Sequence, residues 1–255
     1  MLAKMSKDYA VPALDKAITI LNALAEADSM NITEIHSRLQ IPKSSTFVIM
    51  NTLERHNFVA RSEDGKYRLG YGLFRLGMSF GNNIDLRTMA QPFLRELVQG
   101  TPYTGHLAVL HDRQAVYIHK EEGGGFVRFA TSIGQSVPLH LSGVGKSLLS
   151  GFGDDDIVRM FADEPPVKLT EKSLNSVDEL LEEIHFIREH GYIIEDEQME
   201  QGIRCVGAPI YGNEGRVIAS ISITALSRDL PAVKFQTIGE QAKEAAKRIS
   251  DRISI

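Results

Sequence analysis

Cys205, His140 and Glu195 are the residue types of a nucleophile, a base and a group to orient that base. Separation along the chain does not forbid the trio, and a cysteine-dependent enzyme is the rival reading. Cys205 nevertheless lies in the apolar run Arg204-Cys205-Val206, where a cysteine is more often a small buried hydrophobe. The stretch Gly143-Val144-Gly145-Lys146-Ser147 suggests a phosphate loop, but that loop needs a glycine where His140 stands. Its glycines still precede a helix, whose free N–H groups could meet a carboxylate. Ser222 and Thr224 alternate along one strand face, so their hydroxyls want partners, a ligand or a neighbouring backbone. His106, His111, His119 and His140 lack the short paired spacings of a zinc site, so neither metal nor cofactor is expected. The run Glu195-Asp196-Glu197 reads as solvated surface, with Glu195 at the strand border and able to turn inward.

A second constellation points to nucleic acid. Asn31 can cap a helix with Glu34 reaching back as in a capping box, and Ile32, Ile35 and Leu39 give that helix an apolar stripe. Gln40-Ile41 turns the chain and Pro42 suits the first turn of a second helix. There Thr46, Ile49, Met50 and Leu53 form the buried face, so Lys43, Ser44, Ser45, Phe47, Val48 and Asn51 point outward. Hydroxyls and free N–H groups at a helix N-terminus suit phosphates or base edges, and exposed Phe47 and Val48 suit thymine methyls. The alternative for those two is a wider core stripe. Phe58 to Arg61 and Lys66 to Leu69 flank Ser62-Glu63-Asp64-Gly65, a hairpin whose Arg61, Lys66 and Arg68 could reach the sugar-phosphate backbone. Helix, turn, helix, hairpin is a winged helix-turn-helix, a fold that also serves as a protein-binding module.

The elements around these sites follow from composition and period. A 255-residue chain with 43% hydrophobic and 24% charged residues is an ordinary globular protein with room for two modest domains. The start lacks a signal-peptide pattern and no apolar run could span a bilayer. With Cys205 as the one cysteine, these features predict a cytoplasmic protein. Residues 1–70 hold nine Lys+Arg against eight Asp+Glu, and the remainder nineteen against twenty-five, so a near-neutral head joins an acidic body. A head of net +1 binds DNA modestly, and tight binding calls for two heads at once.

Along the chain, residues 1–9 read as frayed, and Leu14, Ala17, Ile18, Leu21 and Leu24 mark a first helix packed as core. Gly70 to Asn83 reads as a linker helix with Leu73, Leu76 and Phe80 on one face, needing a partner surface such as a second subunit. Asp85 should cap a further helix that Pro92 kinks or splits. Strands then run over Thr104–Leu110 and Ala115–Lys120 about the turn His111 to Gln114. Helices follow from Gly143, over Asp154 to Phe161 and over Val177 to His190, the last stopped by Gly191. A short strand at Tyr192-Ile193-Ile194, strands over Ile203–Ile210 and Val217–Thr224, and a helix from Leu230 to near Ser250 close an α+β body.

Taken together the chain resembles the IclR family of bacterial transcription regulators. The likeness is carried by Ile41-Pro42-Lys43-Ser44-Ser45, Tyr67-Arg68-Leu69-Gly70, Pro138-Leu139-His140, Gly143 to Lys146, Gly191-Tyr192, Gly202 to Ile210 and Ile221-Ser222-Ile223. It implies a winged helix-turn-helix over residues 1–72, a linker helix over 73–88 and a GAF-like effector-binding domain over 89–255. It also implies homodimers or dimers of dimers on a palindromic double-stranded operator, and a small organic acid or aromatic compound as effector. Carried over by motif, the effector residues are Phe126, Phe129, Val137, Gly143, Val144, Glu195, Cys205, Ser222 and Thr224. In this reading Cys205 lines a pocket and attacks nothing. Members often carry arginine where this chain has Val48, and His or Tyr where it has Phe47, so no operator sequence carries over. Val116-Tyr117-Ile118-His119-Lys120 is similar to the branch regulating sugar-acid catabolism.

Overall fold

The computed structural model describes residues 11–81 and 86–253 and divides into two compact units, residues 1–84 and 85–255. The start read as frayed, the side chain of Phe80 and the cap at Asp85 lie outside the described residues.

In the first unit, α1 (Pro12–Ala27) starts on a proline whose missing N–H would have had no helical acceptor. Its buried residues are Ile20, Ala23 and Leu24, with Ala17 and Leu21 packed at the edge of the same cluster. Leu14 and Ile18, expected in the core, are 58% and 50% exposed. Period alone cannot say which of two overlapping stripes meets a neighbour, and here the one through Ile20 and Ala23 does. Helix α2 (Ile32–Leu39) has the full capping box, with Asn31 accepting from Thr33 and Glu34 and Glu34 accepting from Asn31. Gln40, in the left-handed region at φ 55°, turns the chain into α3 (Lys43–Arg55). The wing is β1 (Val59–Arg61) paired antiparallel with β2 (Tyr67–Leu69). Met30 and Tyr67 exchange backbone hydrogen bonds of 3.0 and 2.9 Å, stitching the α1–α2 connection to the wing. Gly70 precedes α4 (Tyr71–Gly81), and a Cβ there would stand 2.3 Å from the Asn57 carbonyl.

In the second unit, α5 (Leu86–Val98) runs unbroken through Pro92. The expected split is absent because the carbonyl that loses its helical donor belongs to exposed Thr88, where water can serve instead. Strand β3 (Thr104–His111) turns into β4 (Gln114–Glu122) through Asp112 and Arg113, at φ 45° and 63°, a tighter turn than the sequence suggested. After β5 (Ser136–Pro138) come α6 (Gly143–Leu149), α7 (Asp154–Met160) and α8 (Val177–His190), the last capped by Ser176 and ended by Gly191 at φ 82°. Then follow β6 (Ile193–Asp196), β7 (Ile203–Tyr211), β8 (Val217–Leu226) and α9 (Phe235–Ile253). The closing helix starts later than expected because Pro231 disfavours helix at Leu230, and a single 3₁₀ turn intervenes.

The six strands form one antiparallel sheet in the order β5-β4-β3-β8-β7-β6. Helices α5 and α9 pack together on one face, where a Cβ on Gly105 would touch Leu94 and Val98 of α5. Helices α6, α7 and α8 cover the other, over a core that includes Ala108, Tyr117, Val137, Val144, Leu180 and Ile184. No helix among the described residues is long and apolar enough to cross a membrane.

Candidate functional site

In the head, α3 divides as its period demands: Thr46, Ile49, Met50 and Leu53 are buried. Lys43, Ser44 and Asn51 are exposed and Ser45 is half-buried, while Phe47 and Val48 are 50% and 63% exposed. The wider-core alternative for these two therefore fails. Pro42 precedes the helix without a side-chain cap, which leaves the first-turn N–H groups beside Lys43, Ser44 and Ser45 without a capping side chain. Thr52 was missed from the sequence: it is exposed one turn beyond Val48, and its hydroxyl donates to the Val48 carbonyl at 3.0 Å. On the wing, Arg61 and Arg68 are exposed and Lys66 half-buried. The Arg61 guanidinium lies 5.5 Å from the Tyr67 ring centroid, a cation–π contact that steadies it. Asp64 accepts from Ser62 Oγ at 2.6 Å and from the Lys66 N–H at 3.2 Å, which hold its carboxyl below the usual range.

In the body, strand register gathers most of the predicted residues under α6. Cys205 pairs with Glu195 on β6 and Thr224 on β8, and Ser222 lies between Gly207 and His106 on its two neighbours. The Cys205 Sγ is 3.3 Å from Thr224 Oγ1. Helix α6 comes down onto β7 at a glycine pair: a Cβ on Gly207 would lie 2.2 Å from the Gly143 carbonyl oxygen. Val144 is buried beside them, its carbonyl accepting from Ser220 Oγ at 2.9 Å. Val137 is a core residue of β5, packed in the same cluster as Val144. Phe129 is half-buried, its carbonyl accepting from Lys120 Nζ at 2.8 Å. The structure does not bring Phe126 to the others, because its side chain stands fully in solvent.

Glu195 alone of its acidic run turns inward, at 1% exposure. Its Oε1 accepts from the N–H groups of Gln198 at 2.5 Å and Met199 at 3.1 Å, yet burial holds its carboxyl above the usual range. Burial and the neighbouring Glu195 likewise push the Cys205 thiol well up, which opposes the thiolate a nucleophile needs. His140 is engaged elsewhere, taking the Val167 N–H at 3.1 Å and meeting the Phe161 ring edge-on. The imagined trio is therefore not assembled. Among the described residues no group of three or more His, Cys, Asp or Glu side chains could hold a metal ion.

Several members of this site were not foreseen. Lys146 is fully buried with its ammonium 2.5 Å from Glu183 Oε2 and bonded to Gln198 Oε1, while Gln198 Nε2 donates to Glu183 Oε1 at 2.6 Å. Its charge is thus spent on a closed triangle that braces the backbone holding Glu195. His106 is buried and stacks on Tyr117 with ring centroids 4.5 Å apart; burial, helped by the Lys120 cation, pulls it down to about 3. The sequence marks His106 as one strand residue among many, and only register places it opposite Ser222.

A winged helix-turn-helix followed by a sheet unit with a buried polar cluster defines a two-domain DNA-binding protein. The chain matches the bacterial transcriptional regulator IclR C-terminal family over residues 78–251 and the IclR helix-turn-helix domain over residues 13–63. It is 31% identical over 242 residues to the HTH-type transcriptional regulator XynR of Escherichia coli K12, covering 94% of this chain and 96% of that one. It is 30% identical over 245 residues to the HTH-type transcriptional repressor AllR of the same strain, covering 95% and 90%. The crystal structure of Thermotoga maritima IclR superposes with a TM-score of 0.83 at 27% identity, over 96% of this chain and 99% of that one. An IclR homologue from Microbacterium hydrocarbonoxydans, complexed with 4-hydroxybenzoate, shares the fold with a TM-score of 0.83 at 22% identity, over 94% and 98%. The chain belongs to the IclR family of bacterial transcriptional regulators. It is a DNA-binding regulator and not an enzyme.

Proposed function

We propose that this regulator represses or activates a catabolic operon in the cytoplasm, releasing or engaging a palindromic operator when a small organic acid binds its second unit. The observation that carries the DNA half is α3, whose exposed Lys43, Ser44, Phe47, Val48 and Asn51 and half-buried Ser45 lie outside the buried stripe that holds the helix. Arg61, Lys66 and Arg68 add backbone contacts from the wing. Two helices of the head keep apolar residues in water: Val11, Leu14 and Ile18 at the start of α1, and Tyr71, Phe74 and Leu76 on α4, between 50% and 70% exposed. A second copy of the chain covers them in this reading, giving the homodimer a near-neutral head needs, with dimers of dimers as the larger assembly. Residues 73–88 then act as the linker between a DNA-binding segment, 1–72, and an effector segment, 89–255.

The effector half rests on the cluster of Gly143, Val144, Glu195, Cys205, Ser222 and Thr224, with Phe129 and Val137 as further wall. Burial holds the Glu195 carboxyl above the usual range, which lessens its repulsion of a ligand carboxylate. The 4-hydroxybenzoate held by the Microbacterium homologue is itself an organic acid. The effector must bind one arrangement of the heads better than the other, since equal affinity shifts nothing.

Fluorescence anisotropy tests this directly, with full-length protein titrated onto labelled DNA from upstream of its own gene and onto unrelated DNA at two salt concentrations. Salt-sensitive preference for the upstream duplex is expected, and D-gluconate, glyoxylate and 4-hydroxybenzoate are then added to shift the midpoint. Equal binding to both duplexes under every condition would contradict the operator; no shift with any acid would contradict the effector class.

A further inference from the structure

His106 sits at the centre of the sheet with no solvent exposure, and both of its ring nitrogens are engaged. Its Nδ1 lies 3.4 Å from Thr224 Oγ1, which in turn lies 3.3 Å from Cys205 Sγ. Its Nε2 lies 2.7 Å from Thr131 Oγ1, in the irregular segment between β4 and β5 that carries Phe126 and Phe129. The stacked Tyr117 ring fixes the plane of the imidazole. That segment is fastened nearby: Lys120 Nζ donates to the carbonyls of Phe129 and Thr131 at 2.8 and 3.1 Å, and Gly134 N donates to the Tyr117 carbonyl at 2.7 Å.

We propose that His106 is a positioning residue of the effector site, holding the Thr224 hydroxyl with one ring nitrogen and Thr131 with the other, so that residues 123–135 respond to what Thr224 binds. A neutral imidazole has one donor nitrogen and one acceptor, so its two bonds run in opposite senses. When Thr224 donates to Nδ1, Nε2–H donates to Thr131. A ligand that draws the Thr224 O–H to itself leaves Nδ1 to donate instead. The ring then changes tautomer: the Nε2 proton leaves through the half-buried Thr131 hydroxyl to solvent, an equal proton reaches Nδ1 from the ligand or solvent through Thr224 Oγ1, and Thr131 turns to donate. The sense of the bond at Thr131 thus reports the polarity of the group bound at Thr224. The inference rests on the reading of Thr224 as an effector residue.

The chain has no tryptophan, so Ile133→Trp, at an exposed turn two residues past Thr131, supplies one reporter in the full-length protein. Acrylamide quenching is compared across variants whose thermal unfolding midpoints establish that they fold. Asparagine places its amide near the Nδ1 position and glutamine near Nε2, so each variant keeps half of the link. His106→Asn and Thr131→Val are expected to raise the quenching constant about two-fold by freeing the segment, and His106→Gln, which loses the Thr224 half of the link, to raise it only as far as Thr224→Val does. Thr224→Val is expected to raise it as well, with no further rise when combined with Thr131→Val. Because Thr131 is half-buried, its variant keeps the comparison open if a His106 variant fails to fold. A Thr224→Val value equal to the parent, or one that adds independently to Thr131→Val, would overturn the link. Calorimetric titration with D-gluconate and 4-hydroxybenzoate is read separately: no heat from either counts against the effector reading, whereas the quenching series judges the His106 link by itself.

Discussion

Phe47 and Val48 remain 50% and 63% exposed on a helix whose other apolar residues, Ile49, Met50 and Leu53, are buried. Water gains nothing from them, so their use lies in what α3 touches. Phe47→Ala is expected to weaken operator binding by about 1–3 kcal/mol, the scale of one base contact, while binding to unrelated DNA changes little. Anisotropy with both duplexes checks this, and an equal loss on both would mean that Phe47 acts without regard to sequence. The exposed Glu63 at the wing tip faces the opposite way in charge, a carboxylate beside Arg61 and Lys66. Glu63→Lys should tighten binding to both duplexes and steepen the salt dependence by about one counterion. An unchanged slope would place the wing tip away from phosphate.

The body has its own titration signature at this scale. Glu195 has a folded-state carboxyl raised by burial, so the native state holds its proton longer than the unfolded chain. Stability contributed here is full at low pH and is lost as pH rises from the ordinary carboxylate range through the raised value. Asp196 and Glu197 run the other way: Asp196 is held low by Lys172 and Arg204 against its partial burial, and Glu197 by the Gly202 N–H and Lys172, so their contribution is lost as pH falls. Glu195→Gln keeps an acceptor for the Gln198 and Met199 N–H groups without the charge. Denaturant unfolding from pH 4 to pH 8 should therefore show a smaller decline with rising pH for the variant than for the parent, and parallel curves would refute the assignment.

At the scale of elements, the contact of α6 with β7 is set by two backbones that nearly touch. A Cβ on Gly207 would stand 2.2 Å from a carbonyl that cannot swing aside, so Gly207→Ala should cost about 3 kcal/mol by urea unfolding, the upper range of overpacking. A loss below about 0.5 kcal/mol, the scale of an ordinary surface change, would show that α6 is free to lift. Much of the element plan was legible because it rests on local rules. The capping box of Asn31 and Glu34, the buried stripe of α3, and α8 with its glycine stop all follow from neighbours a few residues apart. What escaped depends on contacts distant in sequence. Two apolar stripes on α1 were equally regular, and only the neighbouring elements decided that Leu14 and Ile18 stay in water. The meeting of Glu195, Cys205 and Thr224 needed the register of three strands, as did the arrival of His106 beside Thr224. Lys146 looked like part of a glycine-rich turn, and its triangle with Glu183 and Gln198 spans elements that no local pattern links.

At the scale of the molecule, a head of net +1 and a remainder of net −6 limit what one copy can do on DNA. Two heads on a two-fold axis combine their contacts and meet half-sites about one helical turn apart, or a multiple of that. The measurement closest to the central claim is hydroxyl-radical footprinting of the full-length protein on DNA upstream of its own gene, beside Lys43→Glu. The account predicts two protected patches related by a two-fold axis and separated by about 10 base pairs or a multiple, both lost together in the variant. A single patch, or protection that survives Lys43→Glu unchanged, would contradict a paired regulator reading DNA through α3.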